Sequence, residues 1–220
     1  MATGSILLLT EEQKARISEA VRAAERGTRA EIVPMLVARS GFYRDARHRT
    51  GLMFALFMLT GLLTGEALWL PWGWHAANAA WLIVAILCAY AIGSWLGTFD
   101  AVIRAVTSKE RFHLKAKLRA ERAFAQHSLF RTRERTGVLL MVSLLERIVY
   151  VLPDSGIGSH SAPAQWNDVV ETVVDKLKAD DITGAFCAGI QRCGVILAKA
   201  YPATPDDNPD ELSNRLVEEP

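Results

Sequence analysis

The sequence has no marked excess of charge of either sign and few cysteines, and each shortage excludes a class of protein. The 25 Lys and Arg nearly balance the 24 Asp and Glu, so the chain lacks the basic excess that is typical of nucleic-acid-binding proteins. Its cysteines, Cys88, Cys187 and Cys193, form no CxxC pair, which argues against a disulfide framework and against a structural zinc site. We therefore expect no nucleic-acid partner.

Residues 51–99 have almost no charge. Glu66 is the one Asp, Glu, Lys or Arg in this block, which also holds five of the six tryptophans. Two apolar stretches, residues 51–70 and 76–98, are each long enough for the roughly 20 residues with which a helix crosses the hydrocarbon core. The pattern predicts a two-helix transmembrane hairpin. A buried helical hairpin inside a soluble core is the alternative.

The positions of the basic residues predict how this hairpin is oriented. Lys and Arg are frequent just before the first stretch and just after the second, and they are absent from the short tryptophan-rich loop between them. Cytoplasmic loops carry the excess of Lys and Arg in membrane proteins. We therefore predict a two-pass protein of a bacterial inner (cytoplasmic) membrane with both termini in the cytoplasm. Its first partner is then the lipid bilayer.

Each apolar stretch contains a GxxxG pattern, which lets membrane helices approach closely. Gly61 and Gly65 form the first pattern, and Gly93 and Gly97 form the second. In antiparallel spans the two patterns lie at different depths, so they cannot face each other. One of them is then available for another protein or for a second copy. The alternative is that glycine is simply common in membrane helices.

The flanking segments predict an α/β domain that is split in the sequence. Residues 1–50 offer one helix, with a capping box from Thr10 to Gln13, and one strand over residues 30–37, in which Pro34 indicates an edge or a bulge. That is too little to bury a core. Residues 100–201 offer a charged helix that could continue the second span, then two strands and two further helices.

The two later strands are predicted at residues 137–143 and 148–152 as an antiparallel hairpin. A helix is expected from Pro163, and the last helix carries Phe186, Ile190, Cys193 and Leu197 on one face. The simplest solution is one cytoplasmic domain assembled from both segments. Residues 202–220 are expected to form an acidic tail without a packed core.

Several of these segments resemble the TPM domain family. The first is Leu9-Thr10-Glu11-Glu12 with residues 27–33, Gly-Thr-Arg-Ala-Glu-Ile-Val, and the second is residues 131–144 with Asp154-Ser155-Gly156-Ile157. The resemblance covers residues 9–38 and 109–201. It implies a small mixed sheet flanked by helices, here interrupted by the hairpin. It also implies either phosphatase activity or a role in maintaining membrane protein complexes, with divalent metal bound by some members at one end of the sheet.

Asp154 follows the second strand of the hairpin, where α/β folds commonly place ligand-binding groups. With Glu31 or Asp168 it could bind a divalent cation, Ca²⁺ or Mg²⁺, through oxygen ligands. The alternative is a turn, because Pro153-Asp154-Ser155-Gly156 is a turn sequence by itself. Many family members carry an Asp before the first helix, whereas residues 5–9 here contain no carboxylate.

The loop after Asp154 is a second candidate site. Gly156, Gly158 and Ser159 precede a helix, and helix N-termini can bind phosphate. The loop matches neither a Walker loop nor a dinucleotide-binding fingerprint. A flexible loop that ends in a serine cap explains the same residues.

No nucleophile with a base and an orienting acid can be found in the sequence. We therefore predict a non-enzymatic interaction, assembly or maintenance factor for a membrane protein complex. Its partner would be another membrane protein or a second copy of the chain. A metal-dependent phosphohydrolase that uses Asp154 is the main alternative. A module that binds anionic lipid through the basic residues after the hairpin is the third.

Overall fold

The chain forms two compact units in a computed structural model that describes residues 9–68, 76–158, 163–204 and 211–219. One unit combines residues 1–41 with residues 112–220, and the other consists of residues 42–111. The elements along the chain are α1 (Glu11–Glu25), β1 (Glu31–Val37), α2 (Arg44–Leu68), α3 (Ala76–Leu96), α4 (Asp100–Val106), α5 (Lys109–Gln126), a 3-10 turn (Leu129–Arg131), β2 (Gly137–Ser143), β3 (Ile148–Pro153), α6 (Ser155–Gly158), α7 (Pro163–Lys178), α8 (Ile182–Ala200) and β4 (Val217–Glu219).

The first unit contains a four-stranded sheet in the order β3-β2-β1-β4. β1 pairs in parallel with β2 along its whole length, from Glu31 opposite Gly137 to Val37 opposite Ser143. β2 and β3 form an antiparallel pair, as predicted, and β4 lies parallel to β1. The predicted mixed α/β fold with helices around a small sheet is therefore confirmed.

The main core lies between one face of this sheet and helices α1, α7 and α8. Its members include Ile32, Leu140 and Phe186, all of which are almost completely buried. The four α8 residues that were predicted to share one face are fully buried. Every residue of β2 is buried, as the continuous apolar run predicts for a strand covered on both sides.

Helix α5 has one buried side, which consists of Phe112, Ala116, Ala120 and Ala123. Arg119 of α5 pairs with Glu219 of β4, and Nε2 of His127, the residue after α5, lies 3.6 Å from Oε1 of Glu219. The possibility that α5 continues the second apolar helix was wrong. α3 ends at Leu96, and α4 follows it at an angle of 102° before α5 begins.

Pro34 lies in an inner strand without a bulge. The expectation that it marks an edge strand or a bulge therefore needs correction. Glu31 N–H donates to Thr136 O on the β2 side, and Ala38 N–H donates to Glu219 O on the β4 side. Backbone groups alternate sides along a strand, so the nitrogen of Pro34 faces the β4 side. The β4 ladder begins only at Met35. The proline therefore removes no ladder hydrogen bond.

The acidic tail was wrongly expected to lack packed structure. Val217–Glu219 forms the fourth strand, and Leu216 packs against the main core. The sequence offers little sign of this strand, because it is only three residues long and two of them are glutamates. Pairing with the open side of β1 supplies the stability that its composition lacks.

The second unit contains the antiparallel helices α2 and α3. A Cβ on Gly93 would lie 2.7 Å from the Cβ of Phe54, and one on Gly97 would lie 2.7 Å from the Cα of Arg47. These two glycines therefore allow the helices to approach closely. Among the described residues, nothing lies within 4 Å of the Cβ positions of Gly61 and Gly65. His48 Nδ1 and Tyr90 Oη, 2.8 Å apart, form a hydrogen bond between the two helices.

Within the described residues, no single helix combines the length and the apolar character needed to cross a membrane. Ala80–Leu96 and Asp100–Val106 reach that length only as a pair bent by 102°. The tryptophan-rich loop at residues 69–75 lies outside the described residues, as do the side chains of residues 66–79. The transmembrane hairpin over residues 51–98 thus stays a prediction.

Candidate functional site

The sequence-predicted carboxylates Glu31 and Asp154 lie at one end of the sheet, on either side of the first residue of β2. Glu31 is opposite Gly137, and Asp154 N–H donates to Gly137 O at 2.8 Å. Two strand spacings of roughly 4.8 Å separate their backbones by about 10 Å. β1 and β2 begin at this end, and β3 finishes there, because it runs antiparallel to β2.

Asp154 is buried, with 6% of its surface exposed. Its Oδ1 accepts hydrogen bonds from the N–H and the hydroxyl of Ser155, at 2.6 and 3.1 Å. Its Oδ2 accepts none from the described residues and lies 3.9 Å from Nη1 of Arg135. One oxygen thus stabilises the turn into α6. The other can accept a proton or a hydrogen bond, or ligate a hard cation.

Glu31 is also buried, but its carboxylate already binds backbone. Its two oxygens accept hydrogen bonds from Glu211 N–H at 3.3 Å and Leu212 N–H at 3.4 Å. Glu211 in turn accepts a hydrogen bond from Arg133 N–H at 2.9 Å. Glu31 therefore attaches the C-terminal segment to the sheet, which is a structural role that was missed in the sequence.

Asp168, the third predicted metal ligand, pairs with a helix neighbour. It lies on α7, half exposed, and accepts a hydrogen bond from Nε of Arg192 on α8 at 2.6 Å. This bond raises the pKa of Arg192. Among the described residues, no three His, Cys, Asp or Glu side chains converge as a metal site would require. The predicted cation site of Asp154 with Glu31 or Asp168 therefore stays a prediction.

The glycine-rich loop is described only in part. Gly156 N–H donates to Arg135 O at 3.1 Å, and a Cβ at Gly156 would lie 2.5 Å from the carbonyl oxygens of Glu134 and Arg135. Glycine is needed here because two backbones pass close to each other. Gly158 ends the one-turn helix α6, and Ser159 lies outside the described residues. The described part of the loop thus serves packing.

A network of polar groups joins four segments around this end of the sheet. Tyr201 donates its hydroxyl hydrogen to Gly156 O at 2.7 Å, and its own carbonyl accepts from the Thr28 hydroxyl at 2.7 Å. Arg29 pairs with Glu134 at 2.5 Å. Burial, and then the charge of Glu134, raise the pKa of Tyr201. The network holds the loop at Asp154 in place.

A second polar cluster lies at the opposite end of β1 and β2, and the sequence analysis missed it. The Glu146 carboxylate accepts hydrogen bonds from Ser40 N–H, at 2.8 Å, and from the Ser143 hydroxyl. Ser40 Oγ donates to Ser143 Oγ at 2.8 Å. Ser143 is fully buried and Glu146 nearly so, hence a dissolved substrate cannot reach them. The cluster fixes the chain where it leaves β1. The available signal was a glutamate in the short turn between two apolar strands.

Comparison with known proteins supports the TPM resemblance for the second segment. Residues 99–196 match the TPM domain. This TPM match covers a little less than half of the chain, including Asp154, Asp168 and Glu146. It confirms most of the resemblance at residues 109–201, whereas residues 9–38 lie outside it. No curated protein matches the chain.

The chain is similar in structure to the BA42 protein of the psychrophilic bacterium Bizionia argentinensis, whose structure was determined by NMR. The TM-score is 0.59 with 18% sequence identity, and the similarity covers 96% of each chain. At this identity the likeness shows the fold alone. The fold and the TPM match thus agree, and neither assigns an activity.

Proposed function

We propose that this chain is a membrane-anchored TPM-domain protein whose α/β unit binds another membrane protein. Helices α2 and α3 insert in the bilayer as a hairpin, and both ends of the chain lie in the cytoplasm. One observation carries the proposal, namely the large apolar side chains that the two helices present outward.

These apolar side chains have large solvent-exposed fractions, which are unfavourable in water. Phe57 is 80% exposed, Trp81 is 73% exposed and Leu87 is 61% exposed. Further large apolar side chains of the pair are at least half exposed, namely Leu52, Met53, Leu56, Ile83, Ile92 and Trp95. Soluble proteins rarely expose contiguous apolar patches above a few hundred Å². Lipid acyl chains would cover this surface.

No single described helix meets the requirements of a membrane span, so support for an anchor comes from the apolar block as a whole. The 21 residues of α3 contain no Asp, Glu, Lys or Arg, and at 1.5 Å per residue they extend for about 31 Å. The hydrocarbon core is about 30 Å thick. In α2 the apolar part begins at Gly51, after about two polar turns. The proposal concerns the whole block, including residues 66–79.

Cys88 provides a direct test of this anchor, because it is exposed near the middle of α3. In lipid nanodiscs, a water-soluble maleimide should leave Cys88 unmodified, since acyl chains surround it. Cys193 is fully buried and its pKa is raised to about 12 by burial, so it should also stay unmodified. Cys187→Ser removes the half-buried thiol. Mass spectrometry of the labelled protein then reports Cys88 alone.

Leu114→Cys is the matched control for this labelling, because Leu114 is 57% exposed on α5 of the α/β unit. The control thiol should react at the rate of a free peptide thiol, and all thiols should react in SDS. If Cys88 reacts in nanodiscs as fast as the control thiol, the hairpin is in water and the membrane anchor is wrong.

Binding rather than catalysis is supported by how the predicted carboxylates are used. Glu31 accepts hydrogen bonds from the C-terminal segment, and Asp168 pairs with Arg192. The inferred partner is a membrane protein, since both would share the bilayer. Chemical cross-linking in native membranes, followed by purification of the full chain, should recover this partner in a fixed ratio.

A metal-dependent phosphohydrolase is the second candidate, and the buried Asp154 Oδ2 favours it. We expect phosphate-ester hydrolysis by the detergent-purified full chain to stay equal to that of Asp154→Asn, with or without Mg²⁺, Mn²⁺ or Ca²⁺. The asparagine keeps the side-chain shape and the Oδ1 acceptor, so the variant should fold. Metal-stimulated turnover that disappears in Asp154→Asn would replace the proposed binding role by catalysis.

A further inference from the structure

The last described segment, residues 211–219, is named the strap: its first two N–H groups donate to Glu31. Its final three residues form β4, which pairs with the open side of β1 from Met35 to Val37. Ala38 N–H extends this ladder by donating to Glu219 O at 3.1 Å. The strap thus occupies the place at which a strand from another protein could add to the sheet.

The two glutamates of β4 meet basic groups on opposite faces of the sheet. Glu218 pairs with Lys14 of α1 at 3.0 Å, and Glu219 pairs with Arg119 of α5 and with His127, the residue after α5. Successive residues of a strand point to opposite faces. Any strand that enters here therefore meets positive charge on both sides, and two consecutive carboxylates match this arrangement.

With the strap in place, some polar atoms around β4 still lack a hydrogen-bond partner. Within the described part of the chain, Oε1 of Glu218, Nε of Arg119 and Nε2 of His127 are buried without a hydrogen-bond partner. Buried polar atoms that lack such a partner weaken the association of the segment that covers them. The ladder itself is short, because β4 covers only the second half of β1. The strap is therefore a replaceable occupant.

We propose that the β1 edge, with Lys14, Arg119 and His127, is an acceptor groove for an extended acidic strand of a partner protein. This inference rests on the proposed binding function and names the chemistry of the partner. The incoming strand runs parallel to β1 and carries an apolar residue followed by two acidic residues, as β4 does. The strap occupies the groove in cis and competes with the partner.

Competition of this kind sets a threshold for partner binding. A tethered segment has an effective concentration in the millimolar range, so a partner strand in trans must bind more tightly than the strap does. Backbone hydrogen bonds supply affinity in strand addition, whereas the basic side chains supply selectivity for acidic strands.

The test uses a fluorescein-labelled peptide of residues 211–220 as the probe and measures anisotropy. Truncation after Leu216 removes β4 from the full chain, and Glu218→Lys with Glu219→Lys provides a second, full-length opened variant. Both should bind the peptide about tenfold or more tightly than the wild type, because the strap no longer competes. A peptide that carries Glu218→Gln and Glu219→Gln should bind neither variant.

Adding Lys14→Gln and Arg119→Gln to the truncated chain should remove peptide binding while its circular dichroism stays that of the truncated parent. If the folded truncated chain fails to bind the peptide, the groove is wrong. Where truncation prevents folding, the folded charge-reversed chain decides in the same way. Binding that is unchanged by the Gln peptide or by the Lys14 and Arg119 substitutions also overturns it. If the peptide binds but no membrane partner is cross-linked, the acceptor groove is supported and the proposed function is refuted.

Discussion

Excising residues 42–111 and joining Gly41 to Phe112 through a short Gly-Ser linker should yield a water-soluble, folded α/β protein. Among the described residues, every member of the main core cluster lies outside the excised segment. The two ends are also close, since a Cβ on Gly41 would lie 3.0 Å from Cδ of Lys115, three residues after the joining point. A short linker can therefore replace the hairpin without straining the sheet.

Ultracentrifugation of cell lysates measures this effect. The protein that lacks residues 42–111 (the excised protein) should be recovered in the supernatant. The wild type should stay in the membrane pellet after an alkaline wash. NMR contacts between Val33 of β1 and Leu139 of β2 should report the parallel pairing that brings the two halves together.

Two outcomes would contradict this prediction. A wild-type chain that is already in the supernatant would show that the hairpin is no anchor. An excised protein that is unfolded would show that the α/β unit depends on residues 42–111.

Replacing Phe186 by alanine should lower the free energy of unfolding by about 3–5 kcal/mol, the usual cost of emptying a buried aromatic site. Phe186 is fully buried and is among the largest such side chains of the core. The effect is expected at the upper end, because α8 packs tightly here. A Cβ on the neighbouring Gly189 would lie only 2.4 Å from Cγ2 of Val173.

Urea denaturation of the excised protein, followed by circular dichroism, measures this loss without a detergent micelle. Val195→Ala is the control on the same helix, because Val195 is 47% exposed and its truncation should change stability by less than about 0.5 kcal/mol. Equal effects of the two substitutions would mean that α8 does not pack against the sheet as described.

Local sequence patterns predicted the elements that are stabilised by nearby residues or that have a clear apolar periodicity. The capping box of α1 is present with both of its hydrogen bonds, and β2 has the predicted bounds. The α8 face around Phe186 is buried as its spacing indicated. In each case the signal, a cap, an apolar run or a helical spacing, lies within one segment of chain.

The candidate site could be predicted only in part, for a reason that Asp154 and Glu31 illustrate. The structure places both at one end of the sheet, whereas the sequence left open whether they lie close together. Whether their oxygens remain available depends on segments distant in sequence. The N–H groups of residues 211 and 212 donate hydrogen bonds to the Glu31 carboxylate. At Asp154, by contrast, Nη1 of Arg135 lies 3.9 Å from Oδ2.

By itself the sequence determined the apolar block, the helix and strand types of the α/β unit and the need for two separated segments to share a core. These properties follow from composition and periodicity. Only the tertiary structure decided that Pro34 sits in an inner strand, that an acidic segment becomes β4 and that Ser143 meets Glu146. Each depends on pairing between distant segments, because the hydrogen bonds and charges that stabilise it come from a remote part of the chain.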